Sequence, residues 1–497
     1  MLAAKEICEK GGLDFGHLFA RQYSFSRQPL PRMNGWKYPK RLRGWGLAHC
    51  GKLHHTALQD KNGEAIGWLL GVAVDRQGEA IGKTHRFAIS LKDKGFWGFV
   101  EQEITFFAGR YVAFLLTDKG DRVYFDPVMD LPAVFNAGEK TVASSPLMAL
   151  MRPVRANHRL SRRHILKKGG NYGMQQTCDP DVVRGLSNHY LDLESFSLHR
   201  HWPVEANRFE APDGDLNETA AMMVARLGQI TGAILENHAC LLPISGGLDS
   251  RTLAFSARDR LHHADGVYAH RTTWISQFDC YVGMQIAGEL GLAKRFQVVD
   301  GLKAIQEDRY SAEKLRRLRW DFCHRTGYQH APKPAELAVA DLLPEAGYIL
   351  RGNIMDMARA NQWRRDMVFD VGHGVSKLVL GGRTDDENLA YWGPEYSNWM
   401  DTLPGPARAR ALDFAFVEQL LPNTLGGRLI GYGNACYLNP FNDRTLIQAC
   451  MSVDPARRKS GELNKALHRA CGASDTMMTR QAIADEATKA DVERLFA

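Results

Sequence analysis

The spacing of apolar positions changes near residue 215 of the chain. Between residues 40 and 145, short apolar or alternating runs such as "AIGWLLGVAVD", "YVAFLLTD" and "RVYFDP" are separated by Asp, Gly and Lys turns. This pattern predicts a region rich in β-strands. After residue 215, segments with helical spacing alternate with short apolar runs, a pattern that is typical of parallel strands covered by helices.

The second region has a definite predicted order of elements. "LNETAAMMVARLGQITGAILENH" is predicted to be a helix capped by Asn217, "ACLLPI" a buried strand, and "RTLAFSARDRL" a second helix. "ADGVYAH" then predicts a strand, "CYVGMQIAGELGL" a helix, and "RFQVVD" another strand. The remainder, to Ala497, is predicted to be mainly helical.

A linker with two prolines and a glycine lies at residues 200–215, where the pattern changes. The chain of 497 residues is long enough for two or three domains. We therefore expect two domains, 1–205 and 206–497.

Composition and charge narrow the class of protein. The net charge of +7 is mild for this length and lacks the dense basic footprint of a dedicated nucleic-acid binder. The sequence contains no run of about 18 apolar residues, so no membrane span is predicted. The amino-terminal segment lacks the apolar core of a secretory signal. Nine cysteines, none in a CxxC pair, suggest reduced thiols. We expect a cytoplasmic protein that uses neither a membrane nor nucleic acid as its partner.

A basic segment and several histidines offer further candidate sites. The segment from Met151 to Gly170 holds seven Arg and Lys residues, which favour a solvated connector over an RNA or peptide contact. The pairs His54-His55 and His262-His263 are adjacent in sequence, and His199 and His201 lack a third ligand nearby. No histidine group has the spacing of a helical metal site.

The loop after the strand "ACLLPI" has small polar groups at the point where a helix begins. It reads "SGGLDS", comprising Ser245, Gly246, Gly247, Leu248, Asp249 and Ser250. Glycines allow the backbone to approach a phosphate, hydroxyls donate hydrogen bonds, and a helix N-terminus favours negative charge. Because an aspartate among phosphate donors needs a cation between them, Asp249 predicts Mg²⁺. The alternative is a plain strand–turn–helix bend; the GxxxxGK[ST] phosphate loop is not present.

"LLPISGGLDSRTLAF" resembles the pyrophosphate-binding loop of the asparagine synthetase family, within the ATP pyrophosphatase superfamily. "QIAGELGL", "LNPFNDRTLIQAC" and "NKALHRA" are similar to later segments of that family, in the same order. "GRYVAFLLTDKGDRVYFDP" and "LSNHYLDLESFSLHRHWP" resemble the end of its glutaminase-like domain. The resemblance implies the α/β class: a degenerate Ntn-hydrolase-like α/β sandwich, followed by a parallel-sheet adenine nucleotide α-hydrolase-like (ATP pyrophosphatase) domain with extra helices.

The resemblance also implies a reaction and its ligands. In this family the synthetase domain binds ATP with Mg²⁺, transfers AMP to a carboxylate and releases pyrophosphate, and a nitrogen nucleophile then forms an amide. By match, the "SGGLDS" residues would hold the pyrophosphate and magnesium. Val267, Tyr268 and Ala269 would approach the adenine.

The sequence departs from the family at its amino terminus. Members that use glutamine carry a nucleophilic cysteine at the position of Leu2. Cys8 and Cys50 lie inside the chain without a free α-amine, and we interpret both as small buried hydrophobes. The chain is therefore expected to lack glutaminase activity. It is similar in this respect to β-lactam-forming synthetases and lasso-peptide cyclases.

A second departure lies in "ILRGNIMDMARANQW", which stands in the place of the family's loop Ser-Gly-Glu-Gly-Ser-Asp-Glu. On that register Gly352 matches a glycine, Asp356 matches the aspartate that reaches magnesium, and Asn353 replaces the glutamate. Asn cannot act as a general base near neutral pH. Either the base comes from elsewhere, the nucleophile arrives deprotonated, or the second half-reaction differs. A degenerate loop in a protein that no longer catalyses is the alternative, and Ile354 and Met355, in place of small residues, favour it.

Charged side chains near the second loop and the carboxyl end complete the candidate site. Arg359, Arg364 and Arg365 are candidates for binding an anionic substrate, or are surface residues. The family uses a lysine to stabilise the transition state. Lys465 matches the lysine of the Lys-x-Leu-Leu-Arg segment, and Arg480 lies closer to the expected position of the catalytic cation.

These observations lead to one preferred function and two alternatives. We expect an ATP-dependent amide-forming ligase that acts on a carboxylate with an amine or ammonia, in peptide natural-product or surface-polysaccharide biosynthesis, with possible pathway partner proteins. The first alternative is a non-catalytic ATP-binding partner or sensor protein that lost the second loop. The other, tRNA modification, requires RNA binding through residues 152–168.

Overall fold

Three β-sheets, one of them entirely parallel, give the protein a mixed α/β architecture. The computed structural model describes residues 1–158, 172–209, 215–345, 347–379, 386–433, 435–474 and 486–496. The strands are β1 (Tyr23–Ser26), β2 (Trp36–Lys37), β3 (Gly46–Cys50), β4 (His55–Gln59), β5 (Ala65–Val74), β6 (Thr84–Arg86), β7 (Ala108–Thr117), β8 (Gly120–Phe125), β9 (Val134–Asn136), β10 (Thr141–Ala143), β11 (Val183–Arg184), β12 (His189–Asp192), β13 (Leu198–Arg200), β14 (Cys240–Pro243), β15 (Gly266–Arg271), β16 (Phe296–Asp300), β17 (Tyr348–Leu350) and β18 (Tyr437–Leu438).

Helices pack around the sheets throughout the described chain. They are α1 (Leu2–Gly11), α2 (Phe15–Leu18), α3 (Phe96–Thr105), α4 (Pro146–Ala149), α5 (Leu216–Asn237), α6 (Leu248–Ser256), α7 (Ser276–Glu289), α8 (Gly301–Gln306), α9 (Ala312–Arg325), α10 (Pro334–Leu342), α11 (Val371–Gly374), α12 (Asp386–Asp401), α13 (Gly405–Arg408), α14 (Ala411–Ala415), α15 (Gly427–Leu429), α16 (Arg444–Ser452), α17 (Pro455–Lys459), α18 (Glu462–Ala470) and α19 (Glu486–Phe496). Short 3₁₀ or π turns lie at Arg258–His263, Ala293–Arg295, Asn353–Arg359, Val375–Val379, Phe416–Leu420, Pro422–Gly426 and Ile430–Tyr432.

The amino-terminal half is a layered sandwich of two sheets. The first sheet has the order β11-β9-β10-β1-β3-β2, and the second has the order β13-β12-β8-β7-β5-β4-β6. Aromatic side chains fill the space between them: Phe25 of β1 stacks on Trp45 with ring centroids 4.6 Å apart and meets Phe114 of β7 at 4.3 Å. Helix α1 covers the outer face of the first sheet and helix α3 that of the second. The layers are therefore helix, sheet, sheet, helix.

Helix α3 and strand β7 show why the sequence of this half predicts strands. Phe96, Val100 and Ile104 recur every four residues on α3 and are buried against Tyr111 of β7. Every residue of β7 is buried because the strand has the aromatic core on one face and α3 on the other. Such a strand appears in sequence as a continuous apolar run rather than an alternating one.

The carboxyl-terminal half contains the parallel sheet, in the order β16-β15-β14-β17-β18. Numbered along the chain, that order is 3-2-1-4-5, so successive strands are added on one side of β14 and then on the other. The connections reverse direction between β14 and β17. In open sheets of this kind, ligands bind outside the carboxyl ends of the strands at such a switch point.

The predicted elements of this half are confirmed, with one correction. "ACLLPI", "ADGVYAH" and "RFQVVD" form β14, β15 and β16, and the predicted helices form α5, α6 and α7. The cap of α5 is Asp215, whose side chain accepts a hydrogen bond from the backbone N–H of Asn217. The prediction of Asn217 as the cap was wrong because an aspartate two residues earlier can reach the free N–H groups of the first turn.

Cysteine placement agrees with the expectation of reduced thiols. All nine cysteines are free thiols, and Cys8 and Cys50 are buried, which confirms their interpretation as small hydrophobes. In the basic segment, Arg152 pairs with the buried carboxylate of Asp179 at 2.8 Å. Residues 159–170 of that segment lie outside the described ranges. Across the described part of the chain, every helix is too short or too polar to traverse a bilayer.

The segment "LNPFND" connects the parallel sheet to the sandwich. The backbone and side-chain amides of Asn439 both donate to Asp130, at 3.1 and 3.0 Å. The side-chain amide of Asn442 donates to the backbone oxygen of Gly109 at 2.6 Å and to Asp126 at 2.7 Å. All of these side chains are buried. The amide groups of Asn439 and Asn442 therefore form their hydrogen bonds with the front half.

Buried arginines strengthen the same junction. Arg444, at the start of α16, donates to the backbone oxygens of Thr105 and Phe125 and to the side chain of Asn188. In the other direction, Arg110 of β7 donates to the backbone oxygen of Tyr437 at 2.8 Å. The Arg444 guanidinium fixes two backbone groups at once because its donors are held in a rigid plane.

A buried ion pair at this junction predicts a pH-dependent stability. The carboxylate of Glu418 accepts hydrogen bonds from Nη1 and Nη2 of Arg200, at 2.6 and 3.0 Å. Burial alone would raise the pKa of Glu418. Arg200 and its neighbours outweigh this effect and hold the pKa below its ordinary value of 4.5. Glu418→Gln should lose about 3 kcal/mol of unfolding free energy at neutral pH, since it leaves Arg200 without its partner.

The sign of the pH effect follows from the lowered pKa. The contribution of Glu418 to the unfolding free energy is fully present above pH 4.5. It is lost as the pH falls through the lower pKa that Glu418 has in the folded state. Urea unfolding of wild type and Glu418→Gln should therefore converge in acid. The surface pair variant Glu462→Gln should leave the unfolding free energy close to that of the wild type at every pH, because its partner Arg457 is also exposed. A constant difference between wild type and Glu418→Gln down to acid pH would contradict the assignment.

Candidate functional site

A cavity of about 320 Å³ lies beyond the carboxyl ends of β14, β15 and β17. This is the switch point of the parallel sheet. Eight of the residues predicted from sequence line it: Ser245, Gly247, Asp249, Ser250, Tyr268, Ala269, Gly352 and Asn353. The fold thus brings together residues that are separated by more than one hundred positions in the chain.

The "SGGLDS" loop joins β14 to α6, as predicted. The hydroxyl oxygens of Ser245 and Ser250 lie 3.0 Å apart, and the backbone N–H of Gly247 donates to Ser245 at 3.2 Å. Ser250 also hydrogen-bonds the backbone oxygens of Ser245 and Gly247. In this structure the two serines therefore shape the loop from within, at the same time as they line the cavity.

Two neighbours hold this loop in place from below. Arg251 is buried and donates to the backbone oxygen of Gly246 at 2.6 Å. Helix α7 approaches through Gly283, where an added Cβ would lie 2.3 Å from the backbone oxygen of Ile244. Only glycine permits this contact, so α7 lies directly against the end of the strand.

Three predicted residues of this loop and its neighbouring strand do not line the cavity. Gly246 donates its backbone N–H to the backbone oxygen of Asp279 at 3.2 Å, and Leu248 begins helix α6. Val267 is buried in the core beneath the cavity, while Tyr268 and Ala269, which follow it on β15, reach the lining. Of the three residues predicted to approach the adenine, Tyr268 and Ala269 therefore line the cavity and Val267 does not.

The second loop lies against the first. It follows β17 and begins with Gly352, then continues as the 3₁₀ turn Asn353–Arg359. A Cβ added to Gly352 would lie 2.9 Å from the Cβ of Asp249 and 3.2 Å from its backbone carbonyl. The match of Gly352 to a family glycine thus has a steric reason: no side chain fits between the two loops.

Asp249 and Asp356 share one cation, the guanidinium of Arg359. The same Nη2 atom donates to Asp249 at 2.9 Å and hydrogen-bonds Asp356. Burial raises the pKa of Asp249 to about 6, with Asp356 adding to the rise and Arg359 opposing it. Arg359 is half-buried, and its side chain lies between the two carboxylates. Arg364, in contrast, pairs with Asp366 and Asp370 at the surface, and Arg365 is exposed.

The two carboxylates are of the ligand type that the predicted magnesium ion requires. Mg²⁺ takes oxygen ligands and is held in proteins by one or two carboxylates together with phosphate oxygens. Asp249 and Asp356 follow neighbouring strands and converge on a single cationic group. Arg359 occupies the position between them that a metal ion would share.

The second loop is anchored in the core. Ile354 and Met355 are fully buried, so their size reflects packing beneath the site. Arg458, paired with Asp413 at 2.7 Å, donates to the backbone oxygen of Met357 at 2.8 Å. Lys459 donates to the backbone oxygen of Trp363 at 2.9 Å. These contacts hold the 3₁₀ turn that carries Asp356.

One of the two predicted catalytic cations, Lys465, lies in the described part of the chain. Lys465, on α18, lines a separate surface hollow together with Asp215, Arg457 and Arg469. Arg480 lies outside the described residues. Lys465 is not among the described residues that line the cavity at the switch point.

The cavity also has residues that sequence reasoning missed. Arg351 lies over the ring of Tyr437 at 4.8 Å, and Glu336, His270 and Tyr432 line the same space. Arg351 immediately precedes Gly352, and this position in the second loop is the signal that would have identified it. Glu336 comes from α10, and no local motif connects that helix to the loop.

Comparison with known proteins leaves the family assignment as a resemblance. No protein-family model matches the chain, and no curated protein sequence matches it.

The contact between the two loops predicts a steric effect at Gly352. Gly352→Ala should lower the unfolding free energy by about 1–3 kcal/mol because the new methyl group presses on the backbone of Asp249. Gly288→Ala is a matched control, since its added Cβ meets no atom within 4 Å and alanine is the better helix former. Urea unfolding measures both variants. Equal stability of the two would contradict the described loop contact.

The shared guanidinium predicts a metal response when it is removed. Arg359→Gln leaves two neighbouring carboxylates without a cation, so its unfolding free energy in a chelator should fall by about 1–2 kcal/mol. Added Mg²⁺ should then raise its Tm more than it raises that of the wild type.

The control is Arg364→Gln, whose surface pairs are expected to contribute little. Its Tm should respond to Mg²⁺ as the wild type does. If added Mg²⁺ raises the Tm of Arg359→Gln no more than it raises that of the wild type, the two carboxylates do not form a divalent-cation site.

Proposed function

We propose that this protein is an ATP-dependent, AMP-forming amide ligase without its own glutaminase. The observation that carries the proposal is the convergence of Asp249 and Asp356 at the switch point of the parallel sheet. A glycine-rich loop, a helix N-terminus and two convergent carboxylates are together the parts needed to hold a pyrophosphate through magnesium.

The fold supports the finer architecture that the sequence resemblance implies. We propose that the layered front half is a degenerate Ntn-hydrolase-like sandwich, and that the back half is an ATP pyrophosphatase domain. The order of helix, sheet, sheet and helix supports the first assignment, and the 3-2-1-4-5 parallel sheet supports the second. The proposed boundary near residue 205 falls between β13 and α5.

The proposed first half-reaction transfers AMP to a substrate carboxylate. A carboxylate oxygen of the substrate attacks the α-phosphorus of ATP, a new P–O bond forms, and the bond to the pyrophosphate oxygen breaks. Ser245, Gly247 and Ser250 line the cavity where the pyrophosphate would lie, and Tyr268 and Ala269 line the end where the adenine would lie. Fixed dipoles directed at the leaving group stabilise the charge that develops on it.

Magnesium would be held by Asp249 and Asp356 and would neutralise charge on the pyrophosphate. Arg359 lies in contact with both carboxylates and keeps them oriented toward one point. Its guanidinium is also a suitable partner for phosphate oxygens, because its planar donors match them.

The proposed second half-reaction joins a nitrogen nucleophile to the activated carboxyl group and releases AMP. Asn353 lines the cavity, but its amide cannot accept a proton near neutral pH. Glu336 and His270 line the same cavity and are candidates for the base. Arg351 offers a cation for the carboxylate substrate.

A non-catalytic nucleotide-binding protein is the second candidate function. Two observations favour it: Asn353 stands in place of a base, and Arg359 already neutralises both metal-binding carboxylates. Such a protein would bind ATP in the cavity and act as a partner or sensor.

Pyrophosphate release distinguishes the two functions. With ATP, Mg²⁺ and a panel of carboxylic acids, the ligase should release pyrophosphate, and hydroxylamine should trap the activated acid as a hydroxamate. Asp249→Asn should reduce this release by about 100-fold or more. Asp259→Asn, at an exposed position shortly after α6, is the matched control and should retain it.

Binding measurements complete the test. ATP binding by calorimetry without pyrophosphate release for any acid would support the non-catalytic candidate. The ligase proposal fails if Asp249→Asn and Asp259→Asn release pyrophosphate equally.

A further inference from the structure

Helix α9 presents a basic face to solvent. Its inner side packs through Leu318 and Phe322, while Arg316, Arg319 and Trp320 lie on the outer side and are exposed. Arg316 and Arg319 are three positions apart, so they are neighbours on the helix surface. Like charges at this spacing lower the stability of a helix. The contribution of this pair to folding is therefore unfavourable.

The two outer arginines are not neutralised by nearby acidic side chains. Lys314 and Arg317, on the same helix, each pair with an aspartate, at 2.8 and 3.3 Å. Among the described residues, no carboxylate lies within ion-pair distance of Arg316 or Arg319. Both guanidinium groups are thus available to an anionic group from outside the chain.

Two further basic side chains continue this face beyond the helix. Burial lowers the pKa of His330, and Arg428 and Arg319 lower it further, because all three side chains are close together. Arg428 belongs to the short helix α15, and the described part of the chain gives it no carboxylate partner. We call Arg316, Arg319, His330 and Arg428 the basic patch.

The basic patch adjoins the cavity at the switch point through Tyr432. The ring of Tyr432 lies 5.4 Å from the ring of Phe322, on the inner side of α9. The same tyrosine lines both the cavity and a small hollow of about 40 Å³ beneath α9. Burial raises the pKa of Tyr432, and Arg428 and Arg351 both oppose that rise. Cations therefore surround Tyr432 from the patch on one side and from the cavity on the other.

We propose that the basic patch is a docking surface for an acidic segment of a partner polypeptide. Carboxylates of such a segment would supply the partners that Arg316, Arg319 and Arg428 lack, and would offset the repulsion among these cations. The exposed ring of Trp320, beside the two arginines on α9, adds an aromatic contact of a kind that is enriched at protein interfaces.

The extent and charge of the surface favour polypeptide over nucleic acid. A nucleic-acid strand carries a phosphate on every nucleotide and requires a basic surface along its whole path. Here the cations occupy one helix face and one adjoining turn, and Glu336 lines the cavity beside Tyr432. A carboxylate at that point repels phosphate, whereas a polypeptide can place a neutral or positively charged group next to it.

Docking at the patch is independent of the proposed reaction, because binding requires neither ATP nor turnover. A chain bound there would extend toward Arg351 in the cavity, and only this consequence rests on the proposed function. A failure to bind polypeptide and a failure to release pyrophosphate are therefore separate results.

Fluorescence anisotropy with the full-length protein tests the docking. The probe is a fluorescein-labelled peptide in which Glu and Gly alternate, and the control is the same peptide with Gln in place of Glu. The Glu peptide should bind and the Gln peptide should not. Added NaCl should weaken the binding, since exposed charges are screened by salt. Absence of binding by the Glu peptide at low ionic strength would overturn the proposal.

Two double variants with the same change of charge locate the binding. Arg316→Gln/Arg319→Gln should weaken the Kd for the Glu peptide by about 10-fold. Its Tm should equal or exceed that of the wild type, since two like charges leave one helix face. Arg260→Gln/Arg457→Gln removes two exposed arginines that already pair with glutamates, and it should keep the wild-type Kd. Equal Kd values for the two double variants contradict docking at the patch.

A labelled oligouridylate tests the other class of partner at the same ionic strength. The wild type should bind this RNA more weakly than it binds the Glu peptide. Tighter binding of the RNA, lost in Arg316→Gln/Arg319→Gln, would replace the proposed polypeptide with nucleic acid.

Discussion

The desolvation of charge at one internal surface governs the arrangement of this protein. The parallel sheet meets the sandwich through buried polar groups, chiefly Arg110, Arg444, Asn439 and Asn442, and each of them ends on a backbone oxygen or a carboxylate of the other half. A buried donor without a partner costs about 1–3 kcal/mol. The relative position of the two halves is therefore fixed by the partners that these donors find across the junction.

The elements around the first loop could be predicted from sequence because their signals are local. "SGGLDS" is contiguous, and the apolar run before it and the helical spacing after it fix β14 and α6. The sheet order and the contact between Gly352 and Asp249 could not be predicted, since they depend on pairing between strands that are distant in the chain. The cap of α5 was misassigned by two residues, which is the usual uncertainty when several capping residues are adjacent.

The candidate site shows the same division. Ser245, Asp249, Tyr268 and Gly352 were found because each lies in a motif or at the end of a predicted strand. Glu336 was missed because it projects from a helix whose sequence carries no sign of a ligand. The position of Arg359 between two aspartates required the three-dimensional structure, since charge alone does not distinguish a bridging arginine from a solvated one.

The second loop matches the resembled motif in its glycine and aspartate and differs from it in the residues between and before them. Its glycine and aspartate keep their places against the first loop, and buried Arg458 supports the turn from behind. What differs is the set of groups that face the cavity, where Arg351 and Asn353 replace a serine and a glutamate of the resembled motif. The loop thus keeps its contact with the first loop, while the side chains that face the cavity differ from those of the resembled motif.

The "LNPFND" segment has a consequence for how the molecule unfolds. Its amides are bonded to Asp126, Asp130 and Gly109 of the front half, so separating the halves would leave several buried polar groups bare at the same time. Neither half then offers a low-energy intermediate in which only the other is unfolded. The chain is expected to behave as a single cooperative unit, although its sheets would suggest two.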